Sequence, residues 1–148
     1  YPDITADEMY VDNAAMQLIR NPEPLDVIVT TNMFGDILSD EAAITVGGLG
    51  TAPGANIGTN FALFEPVHGS APKYAGQNVA NPTSMILASM MMLDWLGNRH
   101  KDQRCLEASR DIEKAVKQTF SDGIMTRDLG GSAKTDEFGA AVAKRVVD

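Results

Sequence analysis

The chain has 148 residues, of which 44% are hydrophobic and 22% are charged, and its formal net charge is −8. This length suffices for one ordinary domain or for parts of two, and the composition is typical of a soluble globular protein. The acidic balance argues against a nucleic-acid or anionic-membrane surface, and no run approaches the roughly 18 apolar residues of a membrane span. The one cysteine, Cys105, excludes an internal disulfide framework and favours a reducing, cytoplasmic setting.

The first third of the chain predicts a helix, a strand and a second helix. Thr5 and Glu8 have the spacing of a capping box, so we expect a helix over residues 5–20. The β-branched run at 25–31 is typical of a buried parallel strand. A second helix is expected at 35–42, and this alternation indicates an α/β layered domain.

The glycine-rich segment 47–50 interrupts this pattern, and the rest of the chain predicts mainly helices joined by loops. The expected elements are a loop at 53–58, a short strand at 61–64, a turn-rich loop at 65–72, a helix opening at 81–83 and ending at Gly97, a helix at 102–120 and a helix at 135–147. The sequence contains no internal repeat and no long linker. Its first residues, Tyr1-Pro2-Asp3-Ile4, are typical of the interior of a longer protein.

Asp36 and Asp40 are the strongest chemical signal that the residues give by themselves. On a helix, residues four apart lie on one face with Cβ atoms about 5–6 Å apart. Two carboxylates in an otherwise apolar stretch favour a cation between them, and oxygen ligands suit Mg²⁺ or Mn²⁺ rather than zinc. The alternative is a solvated acidic helix face, which spacing alone leaves open.

Other familiar site patterns are missing or ambiguous. No G-x-G-x-x-G follows a strand, so an ordinary Rossmann cofactor site is not expected, and no Walker A loop or Cys/His metal spacing occurs. His100 lies in a polar connection between two basic residues. His68 lies in an apolar loop framed by glycine and proline, where a functional role and a structural hydrogen bond are both open.

Six motifs occur in a fixed order along the chain. They are residues 12–16 (DNAAM), 32–41 (NMFGDILSDE), 52–58 (APGANIG), 65–72 (EPVHGSAP), 81–83 (NPT) and 128–131 (DLGG). Together they resemble the β-decarboxylating 2-hydroxyacid dehydrogenases, which include isocitrate, homoisocitrate, 3-isopropylmalate and tartrate dehydrogenases. The resemblance covers essentially the whole chain, and it implies the isocitrate/isopropylmalate dehydrogenase-like α/β fold.

The resemblance implies a divalent metal, Mg²⁺ or Mn²⁺, held by Asp36, Asp40 and Asp12. In the family the aspartate matching Asp12 reaches the site from the partner subunit, so a homodimer with a shared active site is expected. The implied reaction is hydride transfer from a 2-hydroxy acid to a nicotinamide cofactor, followed by loss of CO₂. Metal stabilisation of negative charge on the substrate fits that chemistry.

The resemblance also implies a cofactor site built without a Rossmann fingerprint. Its members carry the adenosine half of NADP, or of NAD as the alternative, and they are Glu65, His68, Gly69, Ser70, Ala71, Lys73, Tyr74 and Asn81. His68 and Asn81 are expected to flank the adenine. Lys73 and Tyr74 stand where NAD-dependent relatives usually carry aspartate and isoleucine. A lysine there favours the 2′-phosphate of NADP, unless it is only a solvated loop residue.

The family pattern assigns residues 1–46 to the smaller, dimer-forming, metal-binding domain and 47–148 to the larger, cofactor-binding domain. The substrate-binding arginines, the catalytic tyrosine and the catalytic lysine are expected upstream of Tyr1, so we expect the C-terminal portion of a subunit. The 47–58 segment is most similar to isocitrate enzymes, while homoisocitrate and 3-isopropylmalate dehydrogenases remain alternatives. A non-catalytic regulatory subunit is a further alternative, which the presence of all three aspartates disfavours.

Overall fold

Helices dominate the computed structural model, which describes residues 1–147 and the side chains of residues 1–146. Asp148, the last residue of the predicted second domain, lies outside the described residues. The chain divides into two compact units, Tyr1–Gly48 (unit 1) and Leu49–Asp148 (unit 2). The assignment of these units to the two domains of the family stays a prediction.

Unit 1 consists of two helices that pack on each other. Helix α1 is Val11–Arg20 and helix α2 is Asn32–Thr45, and their contact buries Ala14, Leu18 and Leu38. Asp12 in the first turn and Arg20 in the last turn of α1 both complement the helix dipole. The predicted second helix is confirmed, and it extends three residues further in each direction than expected.

Two predictions for unit 1 are wrong. Helix α1 begins at Val11 rather than at the predicted capping box, and residues 5–10 are exposed and not helical. An isolated turn is costly to nucleate, and residues 5–10 are all exposed, so packing within the described chain does not stabilise them. Residues 25–31 form no strand either, and Val27 and Val29 are 80% and 92% exposed. A strand needs a hydrogen-bonded neighbour, and within residues 1–147 the one sheet is elsewhere.

Unit 2 places a β-hairpin against a layer of helices. Strand β1 (Pro53–Ile57) pairs antiparallel with β2 (Ala62–Pro66), so that Ala55 lies opposite Phe64. The loop predicted at 53–58 is therefore wrong. Proline and glycine at its start lowered the expected strand propensity, but proline is tolerated at the first residue of a strand. The predicted strand at 61–64 is confirmed with a shift to Ala62–Pro66.

Three helices complete unit 2: α3 (Thr83–His100), α4 (Gln103–Ser121) and α5 (Thr135–Val147). All three were predicted, but α3 does not end at Gly97. Gly97 is buried instead, and a Cβ there would lie 2.7 Å from the Leu106 side chain, so the glycine permits α4 to pack closely. Helix α3 ends where Lys101 adopts a left-handed conformation (φ 54°).

The core of unit 2 lies between α4 and α5. Phe138 is fully buried and its ring lies 5.4 Å, centroid to centroid, from Phe120. Ala115, Val116 and Val142 complete the buried cluster. Burial of a phenylalanine of this kind stabilises a fold by about 3 kcal/mol or more. Within residues 1–147, no helix is both long and apolar enough to cross a membrane.

Candidate functional site

Unit 2 contains a cavity of about 510 Å³ whose walls come from four separated stretches of sequence. Its lining residues are Gly50, His68, Gly69, Ser70, Ala71, Tyr74, Val79, Ala80, Asn81, Arg127 and Asp128. A volume of this size is typical of a small-molecule or cofactor site. Six of the eight residues predicted to bind the cofactor are among these, while Glu65 and Lys73 are not.

The loop at 68–74 supplies one wall of the cavity. Nδ1 of His68 lies 2.8 Å from the carbonyl oxygen of Gly69. Because a carbonyl only accepts, this hydrogen bond requires a proton on Nδ1 and leaves Nε2 of the neutral ring as an acceptor. A Cβ at Gly69 would meet nothing within 4 Å, so the backbone there is open to close approach by a ligand. Ala71 has a left-handed backbone (φ 44°) that leads into the short 3₁₀ turn Pro72–Tyr74.

A hydrogen-bond network joins the walls of the cavity through Asn81. Its Oδ1 accepts from the Thr83 backbone N–H at 3.0 Å, and its Nδ2 donates to Asp128 Oδ2 at 2.9 Å. Asp128 Oδ1 also accepts from the Thr126 hydroxyl at 2.6 Å. The Ser84 backbone N–H donates to Gly50 O at 3.0 Å, which ties the glycine loop to the start of α3.

The position of Asp128 follows from the turn that carries it. Residues Arg127–Leu129 form a 3₁₀ turn that is closed by Gly130, whose φ is 79°. A Cβ at Gly131 would collide with the Met125 carbonyl oxygen, so only glycine fits there. The DLGG motif therefore folds the chain back tightly and presents Arg127 and Asp128 to the cavity.

Two of the predicted cofactor residues lie beside the cavity lining. Lys73 is exposed, and its Nζ lies 5.6 Å from the ring centroid of Tyr74, which does line the cavity. Glu65 Oε1 accepts from Asn56 Nδ2 at 3.5 Å across the hairpin, a long hydrogen bond. Their roles toward a cofactor stay predictions.

Sequence reasoning missed five lining residues: Gly50, Val79, Ala80, Arg127 and Asp128. The signal for two of them was available, because Asp128 opens the DLGG motif and Arg127 precedes it. Chain order gave no reason to bring that motif next to Asn81, since 47 residues separate the two. Val79 and Ala80 precede the NPT motif and carry no chemical signal of their own.

The predicted metal ligands all lie in unit 1 on exposed positions. Asp36 and Asp40 are four residues apart on α2, and among residues 1–147 no hydrogen bond or ion pair engages either carboxylate. Oxygen donors that are free in this way fit a hard cation such as Mg²⁺. Asp12 lies on α1, and within the described chain no three acidic, histidine or cysteine side chains lie together as a metal site.

One carboxylate near the cavity-forming segments has a clearly perturbed pKa. The hydrogen bond from Asn78 Nδ2, at 2.7 Å, holds the pKa of Asp136 below its usual range. Asp136 also accepts from the Glu137 backbone N–H, and Asn78 Oδ1 accepts from the Asp136 N–H. This pair fastens the segment before Asn81 to α5, outside the cavity lining.

The chain matches the family model described as isocitrate/isopropylmalate dehydrogenase over residues 1–142. It is 52% identical to the 3-isopropylmalate dehydrogenase of Methanothermobacter thermautotrophicus, covering 100% of this chain and 43% of that protein. It is 53% identical to an isocitrate/homoisocitrate dehydrogenase of Thermus thermophilus, covering 97% and 41%. The chain therefore spans less than half the length of these relatives.

A solved structure, that of isocitrate dehydrogenase from Methylococcus capsulatus, superposes with a TM-score of 0.91 at 47% identity. The match covers 100% of this chain and 42% of that one. A β-decarboxylating dehydrogenase from Thermococcus kodakarensis superposes with a TM-score of 0.84 at 38% identity, covering 99% and 42%. The predicted α/β fold and the predicted family are both confirmed. The chain belongs to the isocitrate/isopropylmalate dehydrogenase family.

Proposed function

We propose that a full-length subunit containing this chain catalyses metal-dependent oxidative decarboxylation of a 2-hydroxy acid, with isocitrate as substrate and NADP as oxidant. The observation that carries this proposal is the cavity in unit 2, in which residues of three family motifs meet, those at 65–72, 81–83 and 128–131. Isocitrate is favoured by the 47–58 segment. The relatives named for isocitrate/homoisocitrate and for 3-isopropylmalate are almost equally similar, so the substrate choice rests on that segment alone.

In the proposed reaction, a hydride leaves the carbon that bears the hydroxyl group, and the hydroxyl proton is lost, which gives a β-keto acid. The bond to the β-carboxylate then breaks and releases CO₂. The carbon that lost the carboxylate keeps the electron pair and takes up a proton, so that isocitrate becomes 2-oxoglutarate. When bound, the divalent metal supplies Lewis-acid stabilisation of the negative charge that develops on the substrate oxygen. When bound, NADP would supply the nicotinamide ring as the hydride acceptor.

The residues of this chain hold and orient these partners. Asp36 and Asp40 offer free carboxylate oxygens from one helix face, and Asp12 is assigned to the metal site of the partner subunit. His68 and Asn81, which line the cavity, would flank the adenine, and the open backbone at Gly69 would permit close approach of the cofactor. The contacts to the adenosine half of the cofactor supply binding energy. This binding energy also positions the nicotinamide ring, which lies away from those contacts.

Steady-state kinetics of the full-length enzyme with three substrates and two cofactors tests the proposal. We expect kcat/KM to be highest for isocitrate with NADP and Mg²⁺, and lower for homoisocitrate and 3-isopropylmalate. A preference for 3-isopropylmalate would overturn the substrate but keep the reaction. Absence of turnover with all three acids would overturn the reaction itself. The isolated 148-residue polypeptide serves as the control, and it should be inactive with every substrate.

A further inference from the structure

We propose that Asp128 is a positioning residue that fixes the side-chain amide of Asn81 so that this amide selects adenine over other bases. The inference rests on the proposed cofactor site. Asn81 is 8% exposed, and both ends of its amide are engaged by the protein. One Nδ2 hydrogen points to Asp128, and the other has no acceptor among residues 1–147.

The chemistry of the two partners allows only one orientation of this amide. The backbone N–H of Thr83 can only donate, so it requires Oδ1 of Asn81. The carboxylate oxygen of Asp128 accepts, so it requires Nδ2. A flipped amide would set donor against donor and acceptor against acceptor. Asp128 therefore keeps the second Nδ2 hydrogen available as a donor at the cavity.

Asp128 is itself held in place from two sides. Its other oxygen accepts from the buried hydroxyl of Thr126 at 2.6 Å. Gly50 packs against the pair so closely that a Cβ there would lie 2.7 Å from Asp128 Oδ2 and 3.2 Å from Asn81 Nδ2. A side chain with this much support retains its rotamer and transmits its geometry to Asn81.

A fixed donor distinguishes two bases of nearly equal shape. N1 of adenine is an acceptor, whereas N1 of hypoxanthine carries a hydrogen. A donor that meets N1 therefore forms a hydrogen bond with adenine and opposes hypoxanthine. Leaving such a donor unsatisfied in a desolvated site lowers affinity by about 10- to 100-fold.

The test measures dissociation constants of the full-length protein by calorimetry, without substrate and hence without turnover. The ligands are NADP, NAD and the hypoxanthine analogue of each. We expect wild type to bind the adenine dinucleotide about 10- to 100-fold more tightly than its hypoxanthine analogue. In Asp128→Asn, whose amide both donates and accepts, this ratio should fall towards 1.

Asp136→Asn is the matched control. It removes a carboxylate partner of the same kind, bonded to Asn78 Nδ2 at 2.7 Å, next to the same segment but outside the cavity lining. Its adenine-to-hypoxanthine ratio should equal that of wild type, even if both affinities fall. If Asp128→Asn does not fold, as judged by its melting temperature, Asp128→Ser replaces it with a smaller group that also donates and accepts.

The outcomes separate this inference from the proposal on which it rests. If wild type binds neither dinucleotide, the proposed cofactor site is overturned, and so is the proposed role of Asp128. If wild type binds a dinucleotide but shows no adenine preference, or if a folded Asp128 variant keeps the preference, only the role of Asp128 is overturned.

Discussion

The two units of this chain differ in how much of their apolar surface they bury themselves. Unit 2 has a core around the fully buried Phe138. Unit 1 buries only small patches between α1 and α2, and it leaves large apolar side chains exposed. These include Met16, Ile19, Val27, Val29, Met33, Ile37 and Ile44. Exposed apolar surface on this scale is typical of an interaction face.

A well-buried core and an exposed apolar face thus lie in different units of one chain. Unit 2 supports a cavity because its helices and hairpin hold the surrounding loops in place. Unit 1 carries the predicted metal ligands on helices whose outer faces need covering. We expect this cover to come from the partner subunit, as the resemblance implies.

Truncation of one side chain in each unit should show the largest effect, a difference in the loss of stability. Phe138→Ala should lower the free energy of unfolding by about 3–5 kcal/mol, because it opens a cavity in the core of unit 2. Ile37→Ala, at an exposed position that is 59% accessible, should change the stability of the 148-residue chain by about 0.5 kcal/mol or less. Urea denaturation followed by the fluorescence of the single tryptophan, Trp95, measures the first effect, and circular dichroism measures both. Equal losses of stability in the two variants would contradict the difference between the units.

A substitution at Asp36 tests whether unit 1 binds the metal. Asp36→Asn should lower kcat/KM of the full-length enzyme about 100-fold. Loss of one ligand misplaces the metal ion and reduces its stabilisation of negative charge on the substrate by several kcal/mol. Its fold should remain intact because the side chain is exposed. Full turnover by this variant in excess chelator would refute the metal assignment. Asp26→Asn, another exposed acid of unit 1, is the control and should be neutral.

A mixing experiment tests whether Asp12 acts across the dimer. Asp12→Asn and Asp36→Asn homodimers should each retain only about 1% of wild-type kcat/KM. Randomly reassociated subunits of the two variants should regain about a quarter of wild-type activity, because half of the dimers then contain one intact site of two. No recovery after verified exchange of subunits would place Asp12 outside the partner's site.

The choice between NADP and NAD tests the predicted role of Lys73 in unit 2. The double substitution of Lys73→Asp with Tyr74→Ile should shift the kcat/KM ratio towards NAD by roughly 10- to 150-fold, because a charge-assisted hydrogen bond to phosphate is lost. Lys117→Asp, at an exposed position of α4, changes the net charge equally and should leave the ratio unaltered. A wild-type enzyme that already prefers NAD would show that Lys73 does not bind phosphate.

The smallest expected effect concerns the acid stability of unit 2. Hydrogen bonds from Arg145 and Gln118 hold the pKa of Asp122 below its ordinary value of 3.8. The folded pKa is thus the lower one, so this stabilisation is complete above pH 3.8 and is lost as the pH falls through the folded pKa. Asp122→Asn should therefore lose less stability than wild type between about pH 5 and pH 3, by thermal unfolding. Asp111→Asn, in helix α4 that ends just before Asp122, should follow wild type.

The helices were predictable because their signals are local. Periodic apolar positions and flanking glycines gave α4 and α5 nearly to the residue. The strand at 25–31 failed because strand formation depends on a neighbour, which propensity does not report. Gly97 was read as a stop because local rules assign glycine to helix ends, whereas here it accommodates Leu106 from the next helix.

The same distinction holds for the cavity. The contiguous loop at 68–74 could be recognised from one motif, whereas Asp128 could not be linked to Asn81 without coordinates. Lys73 shows the reverse case, because its motif position suggested a direct contact but its side chain lies beside the lining, over Tyr74. Sequence reasoning therefore found the segment, and tertiary structure decided which atoms face inward.

The tight turn at Arg127–Leu129 has a consequence for directed evolution. Its path is maintained by backbone hydrogen bonds from Gly130 and Gly131 and by the absence of a side chain at Gly131. None of these supports uses the side chain of Arg127, which is exposed and lines the cavity. A library randomised at position 127 should therefore sample new ligand preferences with little loss of folding stability. Position 131 belongs among the fixed positions of such a library.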